Sequence, residues 1–520
     1  MVRRRRCWLR FPAVAVASIA AALAAATDAK AQRQGGDLVY LQQSTPPTLD
    51  AMTSTQQATR NIAMNVFEML VARDEGANPV PDLATSFSES GDGLVYEFRL
   101  RSGVKFHNGK TMTAADAKGT FERYGRVGFD RQDFSTIAEV TATDPQTLRV
   151  TLRRRVPSFI EQISSPRAPM VVIPAEQAGS DTGKLEIIGT GPFQLVEWLP
   201  DSHVKLKRFD GYVPNPAYQG IDGLAGKKVA YVDSVTFRTM PEANARVAAL
   251  ETKAAHFSEQ IPNQAAKRLK DSRDVKIMPM VPWSMAIMIL NAGHGATANL
   301  AVRRAVQIAI DADEVMDIST DGVYRLDHGF NYPESQYWNG DIGKDRYNRA
   351  DRAKAKALLA EAGYKGEEIV ILSNSQEAQI NPQAVIVSQQ LKAAGINARV
   401  EVSDTPTYIA RAEQSEGWGI YVGEFGLAPW LGPYGLPNFW TGAKNWQKKS
   451  DPELDAIFTD LKSKSSLKER QEAGNRFYAR VYDQVYAVKL GDNGMLQAAR
   501  SELAGFKPYR VPRAWGVSLQ

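Results

Sequence analysis

Residues 81–118, PDLATSFSESGDGLVYEFRLRSGVKFHNGKTMTAADAK, constrain the fold of this chain more than any other stretch. Two turns organise them. Ser90-Gly91-Asp92-Gly93 joins two short runs, and the second, Val95-Tyr96-Glu97-Phe98-Arg99-Leu100, alternates apolar and polar residues at strand period. Asn108-Gly109 is a tight-hairpin signal, because glycine reaches positive φ without a Cβ clash. Thr113 then precedes a helical run with Asp116 three residues on, a capping-box spacing with Asp in place of Glu. The segment reads strand, turn, helix. Within it, residues 103–111, GVKFHNGKT, imitate a phosphate-binding loop. That motif needs four residues between its glycines and here there are five, so the hairpin reading prevails.

The N-terminus has the layout of an export signal. Residues 3–6 are basic, residues 11–26 are apolar, and Ala29-Lys30-Ala31 fits an A-x-A cleavage site. The apolar run falls short of the roughly 20 residues that span a bilayer. The expected mature chain starts near Gln32 and is soluble in the periplasm. Arg5-Arg6 also resembles a twin-arginine signal, with ordinary secretion as the other reading.

Removing residues 1–31 takes six of the 63 basic side chains and one of the 58 acidic ones, leaving 57 of each. A neutral mature chain withdraws the charge argument for a nucleic-acid or membrane-surface partner. The single cysteine, Cys7, leaves with the leader, and because it precedes the apolar run it is not a lipid anchor. Without disulfides or thiolate metal sites, stability must come from a large core, which about 490 residues supply.

That length predicts two or three domains. Strand-like and helix-like segments alternate, which argues α/β. Val370-Ile371-Leu372 and Arg399-Val400-Glu401-Val402 read as strands around a helix over 381–394 closed by Gly395, a βαβ unit. Asp351 is placed to cap a helix over 352–362 that ends at Gly363, and Asp451-Pro452 starts another with Leu454, Ile457, Phe458 and Leu461 as its apolar stripe. Residues 285–290 read as a buried strand.

Segment 81–118 closely resembles the signature of the family 5 extracellular solute-binding proteins, the peptide, nickel and opine receptors of bacterial ABC importers. Further matches run along the chain: Thr48-Leu49-Asp50, Gly189-Thr190-Gly191-Pro192-Phe193, Asp210-Gly211-Tyr212, Ala301-Val302-Arg303-Arg304-Ala305 and KALLAEAGY at 356–364. One departure stands at Lys253-Ala254-Ala255-His256, where such families usually carry G-E-x-D. The resemblance implies a two-lobed type II clamshell with an extra subdomain in the first lobe. Lobe I would comprise 32–75, 186–290 and 490–520, with 76–185 inserted, and lobe II 291–489. The chain would cross between lobes near Asn291 and Gly491.

Ligand chemistry is best sought in WGIYVGEFGLAPWLGPYGLPNFW, residues 418–440. After a strand over 419–422, Gly and Pro interleave with Phe425, Trp430, Tyr434, Phe439 and Trp440, a rigid aromatic surface of the kind that lines small-molecule clefts. Such rings can equally plug a core. In peptide-binding relatives this place carries an Asp that takes the ligand α-amine, and the resemblance puts Glu424 there. A carboxylate beside aromatic faces suits a cation; pairing with an internal arginine is the alternative. Trp283, before the buried strand, and Gln43, with Gln42 and Ser44 at the end of the first strand, are further candidates. The five histidines lack paired metal-ligand spacing, and no nucleophile or dinucleotide motif is present, so no catalytic residue, metal or cofactor is expected.

The expected protein is thus a monomeric periplasmic receptor, not an enzyme. It would close two lobes around a small solute, a peptide or peptide-like amine, and present it to an inner-membrane ABC permease. The rival readings are an envelope chaperone or sensor subunit of the same fold, and a hydrolase.

Overall fold

The computed structural model describes residues 33–426 and 433–520, so the expected leader and Trp430 lie outside the described residues. From the N-terminal side, β1 (Asp37–Gln42) leads to α1 (Gln57–Val66) and then to a four-stranded antiparallel sheet. That sheet consists of β2 (Ala84–Glu89), β3 (Val95–Leu100), β4 (Ile137–Asp144) and β5 (Thr147–Leu152) in the order β2-β3-β5-β4. The period-two pattern of β3 decides its facing: Tyr96, Phe98 and Leu100 are buried. Gly109 takes φ +85° in the hairpin, with its N–H donating to the Phe106 carbonyl at 2.8 Å. Asp116 accepts from the Thr113 N–H at 2.8 Å and closes the capping box of α2 (Ala114–Val127).

Apart from three small two-stranded sheets, the other strands form one large mixed sheet. It takes in β6 (Phe193–Leu199), β7 (His203–Arg208), β8 (Ser234–Thr239), β9 (Phe257–Ser258), β10 (Val275–Leu290), β11 (Ile369–Asn374), β12 (Ala398–Ser403), β13 (Ile420–Phe425) and β14 (Ala487–Arg500). The order is β12-β11-β13-β10-β14-β9-β1-β8-β7-β6, and the short strand Tyr324–Arg325 pairs with β14 off that path. Strands β11 and β12 are parallel around α4 (Ile380–Ala393), the expected βαβ unit, and Gly395 after it takes φ +86°. Ahead of them, Asp351 caps α3 (Arg352–Glu361) by accepting from the Lys354 N–H at 2.9 Å.

Two lobes hang from the central strands, each with its own apolar core. Lobe I packs Leu38 and Tyr40 of β1 with Phe98, Leu148 and Trp515. In lobe II, Ala286, Met288 and Leu290 of β10 pack with Val306, Ile371 and Leu391, whereas Met285, Ile287 and Ile289 pack with Phe330, Trp440 and Phe477. Covering on both faces is why residues 285–290 are uninterrupted apolar sequence. The strand is far longer than that run. β10 pairs antiparallel with β14 from Val275↔Arg500 to Ile289↔Ala487, with a register shift between Met280 and Ser284. Before the shift β14 also pairs with β9; after it β10 also pairs with β13. The partner change therefore falls at 281–283, not at Asn291, whose Nδ2 instead ties lobe II loops by donating to the carbonyls of Ser415 at 2.9 Å and Trp418 at 3.1 Å.

Lys253, where the family pattern has glycine, takes φ +66°, a conformation that glycine adopts without strain. The last two helices, α5 (Pro452–Ser463) and α6 (Leu467–Gln484), pack on lobe II. Asp451 does more than cap α5. It accepts from the Leu454 N–H at 3.1 Å, Arg480 Nε at 2.9 Å and the buried Tyr486 hydroxyl at 2.8 Å. Burial alone would raise its carboxyl, but these donors hold it below the ordinary range. Asp451→Ala should lower stability by about 2–3 kcal/mol in urea unfolding, since it removes a cap and charge-assisted bonds together. A loss of under about 0.5 kcal/mol would reduce Asp451 to a surface residue in energetic effect.

Candidate functional site

Strand β13 extends beyond the expected 419–422 and carries Glu424 and Phe425 as strand residues, while residues Pro437–Trp440 form one helical turn. Pairing with β10 places Glu424 opposite Ala286, next to the register shift. Ser284 Oγ donates to Glu424 Oε2 at 3.0 Å, Asn493 Nδ2 donates to Ser284 Oγ at 3.2 Å, and Gln383 Nε2 lies 3.5 Å from Asn493 Oδ1. The other carboxylate oxygen, Oε1, is buried without a hydrogen-bond partner among the described residues. No arginine, lysine or histidine among them pairs with it, so the internal-arginine alternative finds no partner here. Burial pushes the carboxyl up to about 7, against bonds from Ser284 and Asn493 and with a small push from Glu377.

On lobe I the end of β1 faces a second polar group. Glu259 follows β9, and the β1-β9-β14 register brings Gln42 and Gln497 to its level on either side. Glu259 accepts from the Gln43 N–H at 2.8 Å, Asn61 Nδ2 at 3.2 Å and the Tyr40 hydroxyl at 3.5 Å. Burial raises its carboxyl, and the Gln43 N–H opposes that. Both amide atoms of Gln42, Asn61 Oδ1 and Gln497 Oε1 are buried without partners among the described residues. Buried polar groups ordinarily find partners, so a cluster of unpaired ones marks where a ligand would complete the set.

A cavity of about 460 Å³ lies between the lobes, with Tyr124, Glu161 and Arg167 on one wall and Tyr434, Phe458 and Lys462 on the other. An ion pair spans the lobes beside it. Arg470 Nη2 on α6 meets Glu161 Oε1 at 2.8 Å, with only 8% and 14% of the two side chains exposed. Tyr337 joins both, its hydroxyl accepting from Arg470 Nε at 3.0 Å and donating to Glu161 Oε1 at 3.3 Å.

The aromatic candidates separate. Trp283 is half-buried where the hinge strands change register, with the Arg510 guanidinium 5.1 Å above its ring. Tyr434 lines the 460 Å³ cavity. Phe425 belongs to an aromatic layer with Phe439 at 5.1 Å and Trp446 at 6.1 Å. Trp440 is 1% exposed, edge-on to Phe330 at 5.4 Å in the lobe II core. Gln43 has an exposed side chain and contributes its N–H to Glu259. The structure thus places Trp283 next in sequence to Ser284, the hydrogen-bond partner of Glu424, and puts Trp440 in the lobe II core. Sequence reasoning missed Glu259, Asn61, Gln497 and the Glu161–Arg470 pair. Only Gln42, at the polar end of an otherwise apolar strand, carried a local signal.

Glu424 gives a sharp stability test. Its carboxyl titrates near 7 in the folded chain against 4.5 ordinarily, so folding takes up a proton between those values. The ionised group then burdens the ligand-free fold increasingly as pH rises through that window. Glu424→Gln should raise stability by ~2–3 kcal/mol at pH 8 and by under ~0.5 kcal/mol at pH 4. Urea unfolding at both pH values measures this; a loss of stability at pH 8 would mark a satisfied structural carboxylate instead.

With this geometry in place, comparison with known proteins identifies its setting. The profile of the family described as bacterial extracellular solute-binding proteins, family 5 Middle, matches residues 78–447. A glutathione-binding protein GsiB of Pectobacterium atrosepticum is 27% identical, aligning over 96% of each chain. Among solved structures, the ABC transporter substrate-binding protein CtaP of Listeria monocytogenes superposes with TM-score 0.80 at 22% identity, covering 94% of this chain and 100% of its own. The periplasmic binding protein DppA of Helicobacter pylori, in complex with the peptide STSA, gives 0.69 at 23% identity over 94% and 98%.

Proposed function

The chain belongs to the bacterial extracellular solute-binding proteins of family 5, and we propose that it captures a small amine-bearing, peptide-like solute between its lobes for an inner-membrane ABC permease. The observation that carries the choice of ligand is Glu424, a half-buried residue at the register shift whose buried Oε1 has no partner, and no cation beside it, among the described residues. A primary amine supplies what that oxygen lacks, and Trp283 offers an aromatic face nearby. Relatives that are a glutathione-binding protein and a periplasmic binding protein in complex with a peptide support a ligand of this class.

In this reading the protein acts by conformational equilibrium and not by catalysis. Residues 281–284 and 493–495 serve as the hinge, and ligand contacts to both lobes favour closure by their differential affinity. Glu424, Trp283 and Tyr434 contribute from the hinge and lobe II, Gln42 and Gln43 from lobe I. Phe425 and Trp440 stiffen the wall that holds them. The protein works as a monomer, with the inserted subdomain over 76–185 carrying one side of the Glu161–Arg470 pair.

Titration calorimetry against glutathione and a panel of di- and tripeptides tests the ligand. At least one member should bind, and Glu424→Gln should then cost roughly 2–5 kcal/mol of affinity, as for breaking a desolvated charge pair. Affinity should also fall as pH drops below about 7 and Glu424 takes up its proton. Equal affinity for N-acetylated and free-amine peptides would refute the amine reading. Export is tested separately: N-terminal sequencing of the periplasmic fraction should begin at or near Gln32, and an intact Met1 on cytoplasmic protein would overturn it.

A further inference from the structure

The Glu161–Arg470 contact joins two parts of the chain that are otherwise anchored in different cores. Glu161 lies in the short helix Phe159–Ile163, whose two end residues are buried in the lobe I core. Arg73 clamps that helix, donating through Nη2 to the Glu161 carbonyl at 2.7 Å and through Nε to the Ser164 carbonyl at 3.3 Å. Arg470 is on α6, which Phe477, Tyr478 and Val481 fix in the lobe II core. All three of its guanidinium nitrogens find acceptors. Nε donates to the Tyr337 hydroxyl at 3.0 Å, Nη1 to the carbonyls of Pro157 at 3.1 Å and Ser465 at 2.8 Å, and Nη2 to Glu161 at 2.8 Å. Glu161 and Pro157 reach it from the lobe I side, Tyr337 and Ser465 from the lobe II side.

Lys267–Asp321 also crosses from one lobe to the other, but 57% and 36% of its side chains are exposed, so water and salt screen it. The Glu161–Arg470 pair is nearly dry by comparison. Separating the lobes would hydrate both of its charges, and bringing them together strips that water away. Such a cost is offset only when the geometry leaves no donor unsatisfied, as it does for Arg470. Burial works against the Arg470 charge, yet Glu161 and Tyr337 hold its guanidinium above the ordinary value. Every donor and acceptor in the cluster belongs to the chain itself. A contact of that kind favours closure by the same factor whichever solute is bound.

We propose that Glu161 and Arg470, bridged by Tyr337, form an interlobe latch that holds the cleft closed and sets how fast any bound solute leaves. The inference rests on the hinge reading above. Glu161 itself lines the cavity between the lobes, so the latch parts when they separate. The Tyr337 hydroxyl accepts from Arg470 and donates to Glu161, which aligns the two charges from the lobe II side before lobe I arrives. Glu424 then discriminates between solutes, whereas the latch acts on all of them alike.

The mature chain carries no cysteine, so Ser135→Cys on lobe I and Ser463→Cys on lobe II, both at exposed positions, accept a pair of spin labels. Their neighbours Phe134 and Lys462 line opposite walls of the cavity, so the label distance reports opening. In protein stripped of solute, the ratio of the longer to the shorter distance should rise about tenfold or more in Glu161→Gln and in Arg470→Gln. Because the two act through one contact, the double variant should open no further than the single ones. Arg476→Gln, at an exposed position of the same helix, should leave the ratio unchanged. Either single variant serves should the other fold poorly. An unchanged ratio in the variants that fold, or effects that add in the double variant, overturns the latch and leaves the hinge standing. One fixed distance in every variant removes hinge and latch together. In a second arm, stopped-flow tryptophan fluorescence follows the release of each peptide of the panel that binds. Release should quicken by one common factor in Glu161→Gln. Acceleration confined to some peptides would make Glu161 a ligand contact and overturn the latch.

Discussion

The antiparallel pair of β10 and β14 is the member through which both lobes communicate. Backbone hydrogen bonds run along it from Val275↔Arg500 to Ile289↔Ala487, so a single ribbon belongs to two cores. Strands resist stretching but tolerate changes in twist, and a register irregularity is where such a change costs least. Between Met280 and Ser284 the pairing is broken, and there the flanking strand changes from β9 on one side to β13 on the other. Trp283 belongs to this ribbon, and Glu424 lies on the strand paired with it.

That placement puts Glu424 beside the irregularity, with its Oε1 unpartnered among the described residues. The lobe cores are dense and apolar and confer most of the stability, and within each lobe a buried lysine is paired with that lobe's own carboxylates. Lys228 is enclosed by Glu68 at 3.1 Å and Asp82 at 3.0 Å in lobe I, and Lys489 by Asp327 and Asp492, both at 2.9 Å, in lobe II. Glu424 departs from this pattern, with no cation paired to it among the described residues. An unpaired buried ion destabilises the fold that carries it, and that burden disappears when a complementary ligand arrives.

Contact between lobes away from the hinge tunes the same equilibrium. The Glu161–Arg470 pair, nearly dry and shared with Tyr337, adds a ligand-independent attraction across the cleft. Glu161 is anchored from behind by Arg73, which donates to the Glu161 carbonyl at 2.7 Å.

How much of this was legible in the residues follows from the range of each interaction. Local features were: the Asn108-Gly109 hairpin, the Thr113–Asp116 box, the Asp351 and Asp451 caps and the β11–α4–β12 unit all depend on residues a few positions apart, and periodicity or turn chemistry encodes them directly. Glu424 was legible as a carboxylate in an aromatic setting, through resemblance. That its Oε1 lacks a cation depends on Ser284 and Asn493, 140 and 69 positions away, and no local pattern records it. The aromatic run 418–440 shows the same division. Composition announced rigid rings, but strand register put Glu424 at the hinge, and packing on Phe330 sent Trp440 into the core. The sequence by itself determined the elements, their caps and the fold class, because those are short-range and periodic. Which charges go unpaired was decided by tertiary structure alone, because an absent partner is a property of everything that surrounds a side chain in space.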